Sequence, residues 1–371
     1  MPKYDAIIVG GGPAGSSAAI HLSRRGLGVL VLEKDAMPRD KLCGEFLSTE
    51  VGAICRRLGV LDRMLAAGAN PIHSVRAFSL DGASFEAPLP GVALGLSRRT
   101  FDAELFRRAG ECGAELREGE TVRRIDGNLI DGFTVETERE SSCAGVVLGA
   151  YGRRSTLDRK LERPFIKNRS PFVAFKAHFR GENADSAIEL HAFPGGYCGV
   201  LTEESGETNV CWIAYSDELR SAGGSPDEMA ASTLRANVAL ARRLDRLERV
   251  HDFLAVGELS FRPKGHFASD VCMIGDAAGM IAPLCGDGMA MALATGEIVA
   301  PLIYEFLSGF STASEFRNRY VHLWNRQFRR RMAVGRHLQD ALLSPRMSRL
   351  GIRVFAAVPA LAQVVVRATR G

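Results

Sequence analysis

The stretch YDAIIVGGGPAGSSAAIHLSRRGLGVLVLEK, residues 4–34, decides the fold of this chain. A short apolar run ends in a glycine-rich turn, a helix-compatible segment follows, and a second apolar run ends at Glu33. This order predicts a strand, a tight turn, a helix and a second strand parallel to the first. Gly10 permits the turn, Gly12 lets the backbone approach a pyrophosphate, and Gly15 lets the helix pack on the strand.

The residues next to this turn predict a site for a dinucleotide. Pro13 and Ala14 open the helix, whose free N–H groups can bind phosphate. Glu33 follows Gly15 by eighteen residues, where a carboxylate accepts hydrogen bonds from both hydroxyls of an adenosine ribose. Lys34 is assigned to the same site. Because a carboxylate disfavours a 2′-phosphate, we expect FAD or NAD rather than NADP.

Length and composition are those of a globular protein with more than one domain. The chain has 371 residues, of which 46% are apolar and 24% charged. We find neither a signal-like N-terminus nor an uncharged apolar run long enough to span a bilayer, so we expect a cytoplasmic protein. The eight cysteines form no C-x-x-C pair and show no zinc spacing, which predicts free thiols and no metal site.

Positive charge is concentrated in the last part of the sequence. Residues 312–371 contain twelve arginines, no lysine and two acidic residues, a net charge of +10 in a chain whose total is +4. This pattern favours contact with the inner face of a membrane or with an anionic ligand. A solvated helix face, and a helix at residues 350–366 packed on a sheet, remain open alternatives. No recognition motif accompanies the charge, so nucleic acid is not expected.

The pattern of elements predicts an α/β fold assembled from discontinuous segments. Helices are predicted at residues 49–67, 100–113 and 226–247 and through the C-terminal region. Antiparallel strands are predicted at 75–96 and 172–215, a hairpin at 122–137 with its turn at 126–128, and buried strands at 143–149 and 271–274. The predicted domains are a nucleotide-binding domain (1–70, 98–165 and 260–310), a substrate domain (71–97 and 166–259) and a C-terminal helical region (311–371).

A second strong motif is CMIGDAAGMIAPLCGDGMAMALATG, residues 272–296. A buried strand leads into Gly275 and Asp276, where small residues let a ligand approach and the carboxylate can bind a polyol. Gly286, Gly288 and Met289 then open a long helix, whose N-terminus can stabilise a developing negative charge.

A third motif is LSRRTFDAELFRRAGECGAEL, residues 96–116, in which Arg98 is predicted to lie between a strand and a helix. Arg98 could reach the pyrophosphate or the edge of a flavin from there, and Arg99 is the competing choice.

In their order and spacing these motifs resemble FAD enzymes similar to para-hydroxybenzoate hydroxylase. The K-x-C-G segment at residues 41–44 makes the geranylgeranyl-reductase branch the nearer likeness. The resemblance implies a Rossmann-like FAD-binding domain of the GR2 type, interleaved with an antiparallel-sheet substrate domain. It implies that Glu33 holds the adenosine ribose, Asp276 the ribityl chain, and residues 286–289 the pyrimidine end of the flavin. NADH or NADPH would be a transient reductant.

Two departures from the family pattern concern function. A G-A-D-G-x-x-S pattern appears here with Tyr151 in place of the aspartate, which leaves the mode of reduction by NAD(P)H open. A Y-x-W-x-F-P pattern of isoprenoid reductases appears at residues 197–202 without its Trp and Pro. The family's substrate therefore does not carry over directly.

Two side chains are candidates for catalysis. In the related reductases a cysteine at the position of Cys43 faces the substrate side of the flavin, so its thiol could donate a proton. A small buried filler is the alternative. Tyr197 could donate a proton or pack against the substrate. Lys41 is assigned to the cofactor site, where it and Glu45 position the loop or are exposed.

These features predict an FAD-dependent oxidoreductase for a bulky apolar small molecule, with three candidate reactions and one non-catalytic alternative. A monooxygenase using NAD(P)H and O2 is favoured. An ene-reductase of an isoprenoid or lipid double bond and a non-catalytic FAD-binding protein are the alternatives. A halogenase is the most remote, because its paired-Trp motif is absent and the only tryptophans are Trp212 and Trp324. The substrate and the oligomeric state stay open.

Overall fold

The structure is a computed structural model that describes residues 3–182 and 185–368. Across these residues the strands are β1 (Tyr4–Val9), β2 (Val29–Glu33), β3 (Phe46–Leu47), β4 (Asn70–Phe78), β5 (Ser84–Gly95), β6 (Glu115–Glu118), β7 (Val122–Asn128), β8 (Gly132–Thr137), β9 (Ser141–Gly149), β10 (Phe172–Gly181), β11 (Ala187–Phe193), β12 (Gly196–Thr202), β13 (Thr208–Tyr215), β14 (Leu247–Arg249), β15 (Leu254–Gly257), β16 (Phe267–Ala268) and β17 (Val271–Met273).

The helices alternate with these strands in the first part of the chain and follow them in the last. They are α1 (Pro13–Ser23), α2 (Thr49–Leu58), α3 (Leu61–Ala66), α4 (Arg98–Glu111), α5 (Leu157–Lys160), α6 (Ser216–Ser221), α7 (Pro226–Ala231), α8 (Val238–Leu244), α9 (Gly288–Leu307), α10 (Ala313–Leu343), α11 (Pro345–Ala357) and α12 (Pro359–Ala368). Short 3-10 turns lie at Pro164–Lys167, Leu234–Ala236, Gly275–Ala277 and Pro283–Cys285.

The first sheet is the Rossmann-like one. Its main path runs β16-β17-β9-β1-β2-β6, and the neighbours from β17 to β6 are parallel. The strands β7, β8 and β9 form an antiparallel meander at one side. β1 and β2 are apolar and almost entirely buried, as strands covered on both faces must be. The predicted strand–turn–helix–strand unit is therefore confirmed, with α1 as its crossover.

The second sheet is mostly antiparallel. Its order is β14-β10-β13-β12-β11-β4-β5-β3, and the β11–β4 pair is its parallel exception among the described strands. All of these strands, with β15 beside β10, fall between residues 46 and 257. The predicted fold class, a Rossmann-like domain interleaved with an antiparallel sheet and followed by helices, is confirmed. The domain boundaries remain predictions, and β3 joins the second sheet from within the first predicted segment.

Three local predictions are wrong. The helix predicted at 49–67 is split into α2 and α3, because Gly59 adopts a left-handed conformation with φ of 79°. The segment 226–247 holds α7, a 3-10 turn and α8 instead of one helix. The hairpin at 122–137 turns after Asn128, whose side-chain oxygen accepts hydrogen bonds from the next backbone N–H groups, rather than at 126–128.

The helical C-terminal region covers both sheets. α9 packs between α1 and α10 in the core beside the first sheet, although its length and apolarity would also suit a membrane span. α11 and α12 pack on β5 of the second sheet and meet at an angle of 114°. Taken together, α11 and α12 are also long and apolar enough for a membrane span, but the bend between them interrupts it.

Candidate active site

A large cavity is lined by residues of both sheets. Its volume is about 1780 Å³, well above the 300–1000 Å³ of ordinary ligand pockets, so it has room for a dinucleotide and a substrate together. Of the residues assigned to the site from sequence, all but Gly15 and Gly275 line it. The glycine-rich turn, the Cys43 loop and the start of α9 therefore border the same cavity.

The three glycines of the first turn differ in what surrounds them. Gly10 has a φ of 112°, and a Cβ there would lie 2.5 Å from the carbonyl oxygen of Ala150. A Cβ on Gly15 would overlap the carbonyl oxygen of Gly10. A Cβ on Gly12 would meet only the guanidinium of Arg39, at 3.9 Å. Gly10 and Gly15 therefore allow the fold, whereas Gly12 leaves open space toward the cavity.

The N-terminus of α1 is free to bind an anion. Gly12 is its N-cap, so no side chain caps the helix, and the first turn contains no acidic residue. Pro13 and Ala14 line the cavity directly beside this end. The open backbone N–H groups and the helix dipole fit the pyrophosphate of FAD.

Glu33 lies at the end of β2 with only 4% of its surface exposed. Its Oε2 accepts hydrogen bonds from the backbone N–H of Gly11 at 2.8 Å and from Arg39 at 3.2 Å. The carboxylate is therefore held against the turn that would receive the pyrophosphate. Lys34 is exposed at the cavity edge, while Lys41 donates to Asp35 at 2.6 Å.

A buried carboxylate, Asp102, binds two arginines of the site. It accepts from Arg39 at 2.6 Å and, through both oxygens, from Arg98 at 2.7 Å. Burial acts to raise the pKa of Asp102, but the two guanidiniums outweigh it and lower that pKa. Arg98 lines the cavity beside the Cys43 thiol. Arg99, the competing choice, points to Asp40 at 3.5 Å and does not line the cavity.

The loop that carries Cys43 is anchored by Glu45, which is fully buried and has a φ of 57°. The Glu45 carboxylate binds Lys176 at 2.5 Å, His178 at 2.9 Å and the backbone N–H of Arg98 at 2.8 Å. Lys176 and His178 both belong to β10, so this network fastens the loop to the second sheet. The backbone N–H of Glu45 donates to Cys43 Sγ at 3.4 Å, and the half-buried thiol lines the cavity.

The second glycine motif forms the opposite wall. Gly275 has a φ of 60°, and its missing Cβ lets this turn pack against Ala14 of α1. Asp276 lines the cavity; burial raises its pKa, and the positive charge of Lys264 is the largest influence that acts to lower it. Lys264 donates to the carbonyl oxygen of Asp276 at 2.8 Å, and burial lowers the pKa of Lys264 to about 8. Asp276 is thus placed to bind a hydroxylated chain.

The start of α9 opens toward the same space. Gly286 has a φ of 65°, and a Cβ there would lie 2.6 Å from the ring of Phe46. A Cβ on Gly288 would meet nothing within 4 Å. The N-cap residue, Asp287, makes no side-chain capping bond to the helix. Gly288 and Met289 therefore offer backbone N–H groups to an electron-rich ligand edge.

Tyr197, the second catalytic candidate, is 4% exposed and lines the cavity from β12. Its hydroxyl donates to Gln339 Oε1 of α10 at 3.3 Å. Burial raises the pKa of Tyr197 well above its usual value, so the phenol keeps its proton at neutral pH. Its hydrogen bond to Gln339 directs the hydroxyl into the protein, which favours a packing and positioning role.

The residue that departs from the family pattern, Tyr151, belongs to a buried polar network. Its hydroxyl donates to Asp158 at 3.0 Å, and Arg163 donates to the same carboxylate at 2.9 Å. Arg163 also donates to the carbonyl oxygen of Ala277 at 2.7 Å. Tyr151 and Arg163 therefore share the buried Asp158 carboxylate, and the network joins the end of β9 to the Gly275 turn.

The sequence analysis did not predict that Arg39 binds Glu33 and Asp102, or that Asp102 binds both Arg39 and Arg98. The i,i+4 spacing of Arg98 and Asp102 indicates their ion pair, and could have been used. No comparable signal marks the Arg39–Asp102 pair or the Glu45–Lys176 pair, because those contacts join distant segments. In the described parts of the chain, no three His, Cys, Asp or Glu side chains cluster as metal ligands.

Comparison with known proteins identifies the class. Residues 3–316 match the family described as "FAD binding domain". The chain therefore belongs to this family and is an FAD-dependent oxidoreductase.

Relatives of the chain include several reductases and a halogenating enzyme. It is 29% identical to a menaquinone reductase of Mycolicibacterium smegmatis, over 93% of this chain and 86% of that protein. It is 28% identical to digeranylgeranylglycerophospholipid reductase 1 of Methanopyrus kandleri, over 92% of this chain and 91% of that protein. A solved flavin-dependent brominase superposes with a TM-score of 0.83 at 23% identity, covering 99% of this chain and 93% of the brominase, which shows a shared fold.

Proposed function

We propose that this flavoprotein reduces a carbon–carbon double bond in a lipid that carries an isoprenoid chain. The observation that carries the proposal is the apolar extension of the cavity beyond the residues that fit FAD. The extension lies against the paired strands β4 and β11 of the second sheet and against α11, and its walls include Val75, Ile188, Leu190 and Phe355. A long apolar chain fits this shape better than a compact polar ring.

The names of the relatives support the same substrate class. A menaquinone reductase, a digeranylgeranylglycerophospholipid reductase and the geranylgeranyl diphosphate reductase of Rhodobacter capsulatus all match most of this chain. Each of those substrates contains an isoprenoid chain. The preference for a monooxygenase, which came from the sequence, stays a prediction. Anaerobic turnover distinguishes the two reactions.

When bound, FAD would supply the hydride for one carbon of the double bond, after taking two electrons from NADH or NADPH. The chain itself must supply a proton to the other carbon and keep water out. Cys43 is the better donor, because its thiol faces the cavity whereas the Tyr197 hydroxyl is turned toward Gln339. Arg98 and the backbone N–H of Glu45 stabilise the negative charge that develops on Cys43 Sγ as the proton leaves.

The reaction is tested by anaerobic turnover. FAD-loaded protein is mixed under nitrogen with NADPH or NADH and a geranylgeranyl lipid, and the lipid is analysed by mass spectrometry. A gain of two hydrogens per reduced bond without oxygen supports the proposal. A product that forms only in air and contains ¹⁸O from ¹⁸O2 contradicts it and favours hydroxylation. A product formed only with added bromide or chloride contradicts it in favour of halogenation.

Replacing the proposed proton donor should slow one half of the reaction. We expect Cys43→Ala to lower the rate of lipid reduction about 100-fold, the lower end of what a positioned acid contributes. Reduction of FAD by the nicotinamide should be unchanged, because that step needs no proton from Cys43. Rapid-mixing absorbance measures both steps. Cys143→Ser, at an exposed thiol of β9, is the control; equal rates for Cys43→Ala and wild type would remove Cys43 from the mechanism.

A further inference from the structure

The outer surface of α11 and α12 is apolar and basic, and it borders the cavity. We propose that these two helices dock the protein onto a bilayer with anionic head groups and open the cavity toward that bilayer. The docking goes beyond the proposed reduction. Only the delivery of the substrate through this surface rests on the proposed function.

The first argument is a concentration of exposed apolar side chains. Thirteen large hydrophobic residues are well exposed in the described part of the chain, and six of them lie within residues 347–364. We call these six the apolar ridge: Met347 (53% exposed), Leu350 (59%), Val354 (37%), Val358 (49%), Leu361 (41%) and Val364 (62%). Such a patch on one element marks an interaction surface rather than scattered surface residues.

The apolar ridge is not needed to hold the helices in place. Ile352 and Ala362 are already buried, at 3% and 1% exposed, and Ala362 joins one apolar cluster with residues of β4, β5 and β11. Phe355 adds an edge-on contact with Phe85 of β5, with ring centroids 5.3 Å apart. The fold thus accounts for one apolar face of the helix pair and leaves the other without a partner in the described residues.

Charge favours a lipid surface over a second copy of the chain. Residues 341–371 contain five arginines and no acidic residue. Arg349 and Arg353 both reach Asp81, at 3.5 and 2.6 Å, so that carboxylate neutralises only one of them. A symmetric contact between two copies would bring these positive charges together. Anionic head groups would pair with them, each basic residue adding about 1 kcal/mol near such a surface.

The apolar ridge lies next to the cavity, so docking would bring the cavity close to the bilayer. Met347, Leu350 and Val354 are exposed and also line the cavity, so these three residues of the ridge border the cavity, whereas Leu361 and Val364 lie outside its lining. The 114° bend between α11 and α12 suits two helices lying in the interface rather than one crossing it. A bilayer seated here would let an isoprenoid chain enter the cavity without crossing water.

The docking is tested by flotation of the FAD-loaded protein with vesicles. We expect binding to vesicles of phosphatidylcholine and phosphatidylglycerol, weaker binding to phosphatidylcholine alone, and a decrease with salt. The double variant Leu361→Glu/Val364→Glu alters the ridge outside the cavity lining and should bind at least about tenfold more weakly. The control, Leu65→Glu/Ile130→Glu, changes residues that are 51% and 84% exposed elsewhere and should bind like wild type.

Several outcomes would overturn the docking. Failure of the wild-type protein to float is one, and equal loss of binding in the control is another. A dimer seen by light scattering, abolished by Leu361→Glu/Val364→Glu in a protein that ignores vesicles, would assign the ridge to a second copy. Bound-FAD absorbance and thermal melting establish that each variant is folded.

A two-substrate assay separates this proposal from the proposed function. The variant Leu361→Glu/Val364→Glu should reduce a short-chain isoprenoid in solution at the wild-type rate but lose most activity on a vesicle-embedded lipid. Equal activity on both substrates would contradict delivery through the bilayer. A wild-type protein that binds vesicles but reduces neither substrate would contradict the reductase, while the docking would stand.

Discussion

Glu45 is the residue on which the geometry of the catalytic loop depends. It adopts a left-handed backbone conformation that is unfavourable for a glutamate, and its buried carboxylate is matched by the ammonium of Lys176 and by His178. Such an ion pair adds little net stability, because desolvation offsets attraction. The Glu45–Lys176 pair instead fixes the position of the loop that carries Cys43.

Removing the cation of this pair should therefore be costly. We expect Lys176→Met to reduce the free energy of unfolding by about 3–5 kcal/mol, because Glu45 is left buried without its partner. Urea denaturation measures the loss. Lys41→Met breaks the partly exposed pair with Asp35 and should cost less than about 1 kcal/mol. The double variant Glu45→Gln/Lys176→Met should recover part of the loss; no recovery would show that the two charges do not depend on each other.

His21, in the last turn of α1, makes stability depend on pH. Burial lowers its pKa from 6.5 to about 4, so the folded protein keeps this imidazole neutral while the unfolded chain protonates it. Stability from this group is complete above pH 6.5 and is lost as the pH falls toward 4. At pH 5 the loss is about 2 kcal/mol. Urea denaturation at pH 7 and pH 5 should show a smaller difference for His21→Gln, whereas exposed His73→Gln should behave like wild type.

At the scale of elements, the glycines of the β1–α1 turn have two different roles. Gly10 and Gly15 are required for packing, whereas Gly12 leaves space for the ligand. Gly12→Ala should leave the apoprotein melting temperature within about 1 °C, because open space surrounds that position, yet weaken FAD binding about tenfold or more. Gly15→Ala should prevent folding, since its Cβ would overlap the Gly10 carbonyl oxygen. Thermal melting and FAD titration distinguish the two. A stable Gly15→Ala protein would contradict this division.

The elements that the sequence predicted well are those governed by local rules. β1, α1, β2 and β9 follow from apolar runs, glycine spacing and burial on both faces, and all appear in the structure. The errors have equally local causes that a pattern of apolar residues does not contain. Gly59 ends α2 with a positive φ, and the turn predicted at residues 126–128 lies after Asn128, whose side chain accepts the hydrogen bonds that close it.

At the scale of the whole molecule, the site could be predicted only in part. Most residues predicted from the glycine-rich motifs line the cavity, with Gly15 and Gly275 as exceptions, because each motif carries its own backbone geometry. Ion pairs between residues far apart in the sequence have no comparable sequence pattern. Arg39 meets Asp102 across 63 residues, and Glu45 meets Lys176 across 131. Single-sequence periodicity describes neighbours on one element and contains no information about which charges meet after folding.

Because both sheets and α9 border one cavity, FAD should stabilise the molecule as a unit. At FAD concentrations a hundredfold above Kd we expect the melting temperature to rise by about 3 °C, from about 2.7 kcal/mol of linkage spread over a chain of this size. A single transition that shifts as a whole is expected in a thermal scan. The shift should be smaller for Glu33→Gln at the same FAD concentration, and an unchanged shift would remove Glu33 from the cofactor site.

The cavity takes its walls from widely separated parts of the sequence, and this has a consequence for synthesis. The residues that fit FAD, from Gly10 to Met289, leave the ribosome before α11 and α12 do. A growing chain can thus complete its cofactor cradle while the mouth of the substrate cavity is still unmade. Early capture of FAD would give the chain a folded centre against which the last helices pack.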